Sequence, residues 1–151
     1  INATGNAVFL SGRTAVPYQV SPAGATLYNP LQTGRLFNSA AASQALSTLL
    51  RSGSGNVMAA DYARFNDRSI QFGGFVNNAL QGATLNTAFP AGNRLADQMR
   101  EVARLIAARG QLGVTRQVFL VSLGGFDNHD GLIGTHDALL GQVDAAIDSF
   151  Y

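Results

Sequence analysis

Within ten residues the chain places Asp127, His129, Asp130 and His136, and its only two histidines are both among them. Carboxylate oxygen and imidazole nitrogen together make up a ligand set for zinc, manganese or iron. Glycines at 124, 125, 131 and 134 surround these side chains, and they let a backbone fold tightly around an ion. Asp127 and His129 alternate, so in an extended stretch they project to the same side, while His136, near a helix start, is placed to reach back toward the same point. An ordinary polar turn has the same spacing: Asp127 would cap it, His129 would be solvated and His136 would be a first-turn helical residue. Both readings stand on spacing alone. Ser122, just before the loop, is either a nucleophile or a buried hydroxyl bonded within a sheet, and the second is favoured because no base precedes it. Arg94, Arg100 and Arg104 form either an anion-facing stripe or, more commonly for such a pattern, a solvated helix face.

The elements that must position this loop can be read on either side of it. Residues 117–123, Gln-Val-Phe-Leu-Val-Ser-Leu, are a nearly continuous apolar run, the pattern of a strand buried on both faces of a parallel sheet. Asp127 falls at its carboxyl end, where open α/β sheets gather their ligands. Upstream, Asn93 can cap a helix with Leu95, Met99, Val102, Ala103 and Ile106 on one side and Asp97, Arg100, Glu101 and Arg104 toward water, ended by Gly110 as a left-handed residue. Downstream, a helix starting near Thr135 would bury Leu139, Leu140, Val143, Ile147 and Phe150. Helix, buried strand, loop and helix make half of a doubly wound α/β arrangement, so the strand is expected to have parallel neighbours and helices near 93–109 and 135–151.

Earlier in the chain, Tyr62, Phe65, Ser69, Phe72, Val76 and Ala79 recur at spacings of three and four, which predicts one buried helical face, weakened by Gly73 and Gly74. Ser39 or Ser43 can cap a helix through Ala45, Leu46, Leu49 and Leu50 that stops at the breaker cluster 52–55. The first forty residues are rich in Gly, Pro, Ser, Thr and Asn and read as loop-heavy, with brief extended runs at 7–10 and 18–20.

Composition bounds the function. Of 151 residues, 46% are hydrophobic and 13% charged, which argues against disorder and for one well-buried core. Ten arginines against nine acids leave a formal charge of +1, spread without a basic run, so no nucleic-acid footprint is predicted. Cysteine is absent, which removes disulfides, thiolate catalysis and Cys-type zinc sites. No apolar run reaches the ~20 residues needed to span a bilayer. The chain begins with Ile1, shows no leader of its own, and still reads as mid-helix from Ala145 onward. It is therefore read as an internal fragment, residues 1–151, of one larger domain, packed against the remainder of its own chain or against other copies as a homo-oligomer.

Leu95-Ala96-Asp97-Gln98-Met99-Arg100, the helix continuing through 102–108, the strand 118–123 and Gly124-Gly125-Phe126-Asp127-Asn128-His129 together resemble a bacterial family catalogued as domain of unknown function 1501. In that family a helix beginning Leu-Ala-x-Gln leads to a strand ending Ser-Leu-Gly-Gly-Phe-Asp-Thr-His; here Asn128 stands in place of Thr. His136 with Leu139 and Leu140 also matches. The resemblance is specific over residues 92–151 and faint over 1–90. It implies export to the periplasm or outside the cell, and a partial doubly wound sheet of alkaline phosphatase and sulfatase type behind a loop-rich front end. It also implies a metal site in which Asp127 and His129 are ligands, with His136 a weaker third, holding a divalent ion such as zinc or manganese. The family's earlier Gly-Gly-x-Asp-Gly strand end, its later Ser-x-Phe-Gly-Arg-Thr strand and its Asp-His pair do not occur here. The expected function is a metal-dependent hydrolase of phosphate or sulfate esters; the alternative is a non-catalytic secreted binding or structural protein that keeps the fold.

Overall fold

The computed structural model describes residues 1, 3, 13, 18–25, 28–53 and 55–151. It is mostly helical with a single two-stranded sheet among the described residues, so the chain is α/β in a loose sense. The elements are β1 (Val20–Ser21), β2 (Gly24–Ala25), α1 (Asn29–Thr33), α2 (Ala40–Arg51), α3 (Val57–Gln81), α4 (Arg94–Ala107), α5 (Arg109–Leu112) and α6 (Leu132–Phe150). They divide into two compact units, one of residues 1–24 and 78–151 and one of residues 25–77. The expected brief strand at 7–10 lies outside the described residues; that at 18–20 contributes Val20 to β1.

In the first unit α4 carries the core. Asn93 caps it as the sequence predicts: its side-chain oxygen accepts from the backbone N–H of Leu95 at 3.0 Å and of Ala96 at 3.1 Å, two of the donors a helix start leaves unpaired. Its amide nitrogen donates to the Gln142 carbonyl of α6 at 2.7 Å, so one buried side chain both starts α4 and fastens it to α6. Between the two helices Leu95, Ala96 and Ala146 are buried, with Phe89, Met99, Val121, Leu123 and Val143 packed against them.

Several details depart from the expected pattern. α4 closes at Ala108, a further turn follows as α5, and the left-handed residue is Gly113 rather than Gly110. α6 starts at Leu132, three residues before Thr135, and its fully buried residue is Ala146; Leu140, Ile147 and Phe150, expected inside, are exposed. Close approach to α4 needs a small residue, so alanine occupies the contact. Glu101, expected in water, is completely buried. One carboxylate oxygen pairs with Arg104 at 2.9 Å and the other has no partner; Arg104 in turn donates to the Leu80 carbonyl at 3.0 Å, which ties α4 to the end of α3. Burial pushes the Glu101 carboxyl above its ordinary range, against the opposing pull of Arg104 and Arg100.

Residues 117–123 are extended, but they form one bridge instead of a ladder. The Leu120 N–H donates to the Ile1 carbonyl and the Leu120 carbonyl accepts from Ala3 N–H, both at 3.1 Å, which is the hydrogen-bond pattern of a parallel pair. The Gln98 side chain continues the pairing where backbone does not: its oxygen accepts from Ser122 N–H at 3.0 Å and its nitrogen donates to the Ser122 carbonyl at 2.9 Å. Only one face of the segment is covered, since Val121 and Leu123 join the core while Val118 is 69% exposed. The expectation of burial on both faces is corrected accordingly, as is that of a buried Ser122 hydroxyl, because Ser122 is exposed.

In the second unit Ser39 caps α2 through Ala42 N–H at 3.2 Å, and Ser43 on the next turn donates to the Pro30 carbonyl at 2.6 Å. The long helix α3 buries Val76 and Ala79 of the face its spacing predicts, but turns a different face inward over its earlier turns. Ala63, Asn66, Gly73 and Val76 are buried, whereas Tyr62, Phe65 and Phe72 are exposed. Polar contacts hold that inner face: Asn77 accepts from Ala25 N–H at 2.9 Å, Asn66 accepts from the Tyr28 hydroxyl at 3.4 Å, and Arg51 of α2 pairs with Asp67 at 3.3 Å.

Candidate functional site

The loop after residue 123 is shaped by backbone conformations that glycine alone adopts easily. Gly125 has φ +100° and Gly131, which precedes α6, has φ +62°. A methyl group on Gly125 would also meet the Leu139 side chain at about 3.5 Å. Within this frame Asn128 closes the turn, its amide donating to the Gly125 carbonyl at 2.8 Å.

His129 Nε2 lies 3.6 Å from Asp127 Oδ1, on a loop where both side chains are more than nine-tenths exposed. The two residues therefore meet, as their alternation predicts. His136 does not join them. Its Nε2 lies 3.2 Å from the Phe126 carbonyl, and its ring meets Phe126 edge to face at 5.6 Å. A carbonyl can only accept, so Nε2 carries a hydrogen there. Asp130 is exposed and its side chain bonds to no described residue. Among the described residues no group of three or more potential ligands converges on one point.

The distance between Asp127 and His129 suits a shared ion. Ligand atoms ~2.0–2.1 Å from a tetrahedral zinc stand roughly 3.3 Å apart, so 3.6 Å requires only a small adjustment. The pair supplies two ligands and leaves the other coordination positions to solvent, substrate or further protein groups.

Beside the loop, at the start of α4, a cavity of about 310 Å³ is lined by Ala3, Pro22, Arg94, Asp97, Gln98, Ser122 and Leu123. The arginines of α4 have different roles around it. Arg100 pairs with Asp97 at 3.1 Å and Arg104 with the buried Glu101, while Arg94 is exposed and forms no ion pair among the described residues. Arg94 is thus the cation of the cavity wall. Gln98 is the positioning residue that spacing did not single out, and the polar side chain of this helix lying against an extended apolar run was the available signal.

No family model matches the chain, and no curated protein or solved structure matches it either.

Proposed function

We propose that the loop carrying Asp127 and His129 is part of a divalent-metal site in a secreted hydrolase of phosphate or sulfate esters. We further propose that the described α/β elements belong to a doubly wound sheet of alkaline phosphatase type. The reading rests on one observation above the others: a carboxylate oxygen and an imidazole nitrogen 3.6 Å apart at the carboxyl end of an extended segment. The motif that resembles the domain of unknown function 1501 family adds to it, with zinc or manganese as the ion and the periplasm or extracellular space as the location. Asp127 contributes negative charge and His129 a neutral nitrogen donor. When bound, such an ion polarises the ester oxygen and stabilises the charge that develops there. Arg94, in the cavity wall next to Leu123, offers a guanidinium to the anionic oxygens of the ester.

A second reading, a secreted binding or structural protein without catalysis, is favoured by one feature: Asp127 and His129 are almost wholly exposed, whereas catalytic ligands normally sit in a water-excluding pocket.

Metal content of the purified chain by elemental mass spectrometry tests the site, and turnover of a chromogenic phosphate or sulfate ester separates the two readings. Wild type and Asp130→Asn should retain metal. Asp127→Asn should lose affinity by more than the roughly 10–100-fold that removal of an outer-shell partner costs. Equal metal content in all three proteins would return the loop to an ordinary polar turn. Metal retention without turnover would support the binding protein.

A further inference from the structure

The outward stripe of α3 has the spacing of a seam between two helices. Met58, Tyr62, Phe65 and Ser69 follow one another at intervals of four, three and four, so they stay in line along a partner helix as coiled-coil core positions do. The three apolar members are 79%, 59% and 66% exposed, a contiguous apolar strip of the kind that marks an interaction site. Tyr28 lies close beside Tyr62 and adds to the aromatic surface; desolvation first, and then Tyr62, hold its phenol above the ordinary range.

Charge shows what fits this strip. Asp61 and Arg68 are exposed on the same flank of the seam, seven residues apart and of opposite sign. Arg68 forms no ion pair among the described residues, and Asp61 is held only by the equally exposed Arg64. We infer that α3 pairs antiparallel with the α3 of a second copy of this chain, about a two-fold axis passing between Ala63 and Arg64. That axis stacks Tyr62 of each copy on Phe65 of the other and places Met58 over Ser69. It also brings Asp61 of each copy beside Arg68 of the other, so the charge pair forms twice. The partner's opposite flank meets Ala59, whose small side chain lets the helices approach. A parallel pairing would set the flank of Asp61 and Arg68 against the partner's opposite flank, at Ala59 and Asn66, and form neither charge pair. The self-complementary flank thus selects both the partner and its direction.

Sedimentation equilibrium of the full 151-residue chain tests the proposal, with circular dichroism to show that each variant keeps its helices. Wild type should dimerise in a concentration-dependent way. Asp61→Arg and Arg68→Asp should each weaken the dimer about tenfold, because every reversal is counted twice across the axis, and the double variant should recover most of the loss. Phe65→Glu should give a monomer. A wild type that stays monomeric at its highest soluble concentration would overturn the proposal, as would a dimer indifferent to Phe65→Glu. Failure of the double reversal to rescue would do so as well. The reversals change only exposed side chains, so their outcome remains readable if Phe65→Glu fails to fold.

Discussion

At the scale of single residues, the most consequential side chain of the first unit is Glu101. It is fully buried, half satisfied by Arg104, and its carboxyl is pushed above the ordinary range chiefly by burial. A raised carboxyl means that the folded protein holds a proton more tightly than the unfolded chain. Its contribution to stability is therefore complete below the ordinary glutamate pKa and is lost as pH rises through the folded value. Chemical denaturation across that window should show stability falling with rising pH, and Glu101→Gln, which cannot ionise, should flatten the profile. A profile equally steep in the variant would assign the pH dependence to other groups. Glu101→Ala should cost about 2–3 kcal/mol, below the full effect of breaking a buried pair, because Arg104 keeps the Leu80 carbonyl and remains partly exposed. Nothing in the residue pattern signals this burial: a glutamate three positions from an arginine on a charged helix side looks the same whether that side meets water or the end of another helix.

Among the elements, α4 was legible, while the inward face of α3 was legible only at Val76 and Ala79, and the difference is physical. Asn93 announces the start of α4, since only a short polar side chain can reach back to the free N–H groups, and Leu95 and Val102 fall on its covered side as their spacing requires. Asn93→Ala should remove two cap bonds and the link to Gln142 together, costing about 2 kcal/mol, to be read from urea denaturation; a loss within experimental error would show that α4 and α6 associate by apolar packing alone. In the first part of α3 the covered residues are small or polar, Ala63, Asn66 and Gly73, and the hydropathy pattern gives no weight to a face held by asparagine hydrogen bonds. The aromatic spacing was real, but it describes the outer seam. For residues 117–123 the apolar run predicts a strand with parallel neighbours, whereas the segment makes a single bridge at Leu120 with the chain start and joins no sheet among the described residues, since sheet partners and coverage of the second face depend on elements that a run of seven residues cannot specify. The Asp127 and His129 contact was legible because the Gly-Gly pair signals a turn that brings alternate residues together; the diversion of His136 to the Phe126 carbonyl was not, since it depends on where α6 begins.

On the scale of the whole molecule, the chain forms two compact units, and the two functional proposals fall on different ones: the metal loop belongs to the unit containing α4 and α6, the α3 seam to the unit of residues 25–77. No helix among the described residues is long and apolar enough to cross a membrane, and the proposed self-association accounts for the exposed strip on α3. Association stabilises whatever it covers in proportion to occupancy. A partner present at 100 times its dissociation constant adds about 2.7 kcal/mol, equivalent to roughly a hundredfold slower exchange of amides that open only when the partner has left. Hydrogen exchange measured at low and high protein concentration should therefore slow along residues 57–69 and leave α4 unchanged, since α4 is fastened within its own unit by Asn93 and Glu101. Addition of metal should have the reverse distribution, slowing residues 124–131 without affecting the seam. If concentration protected both units equally, the second copy would be covering more than α3, and the seam would be one part of a wider interface.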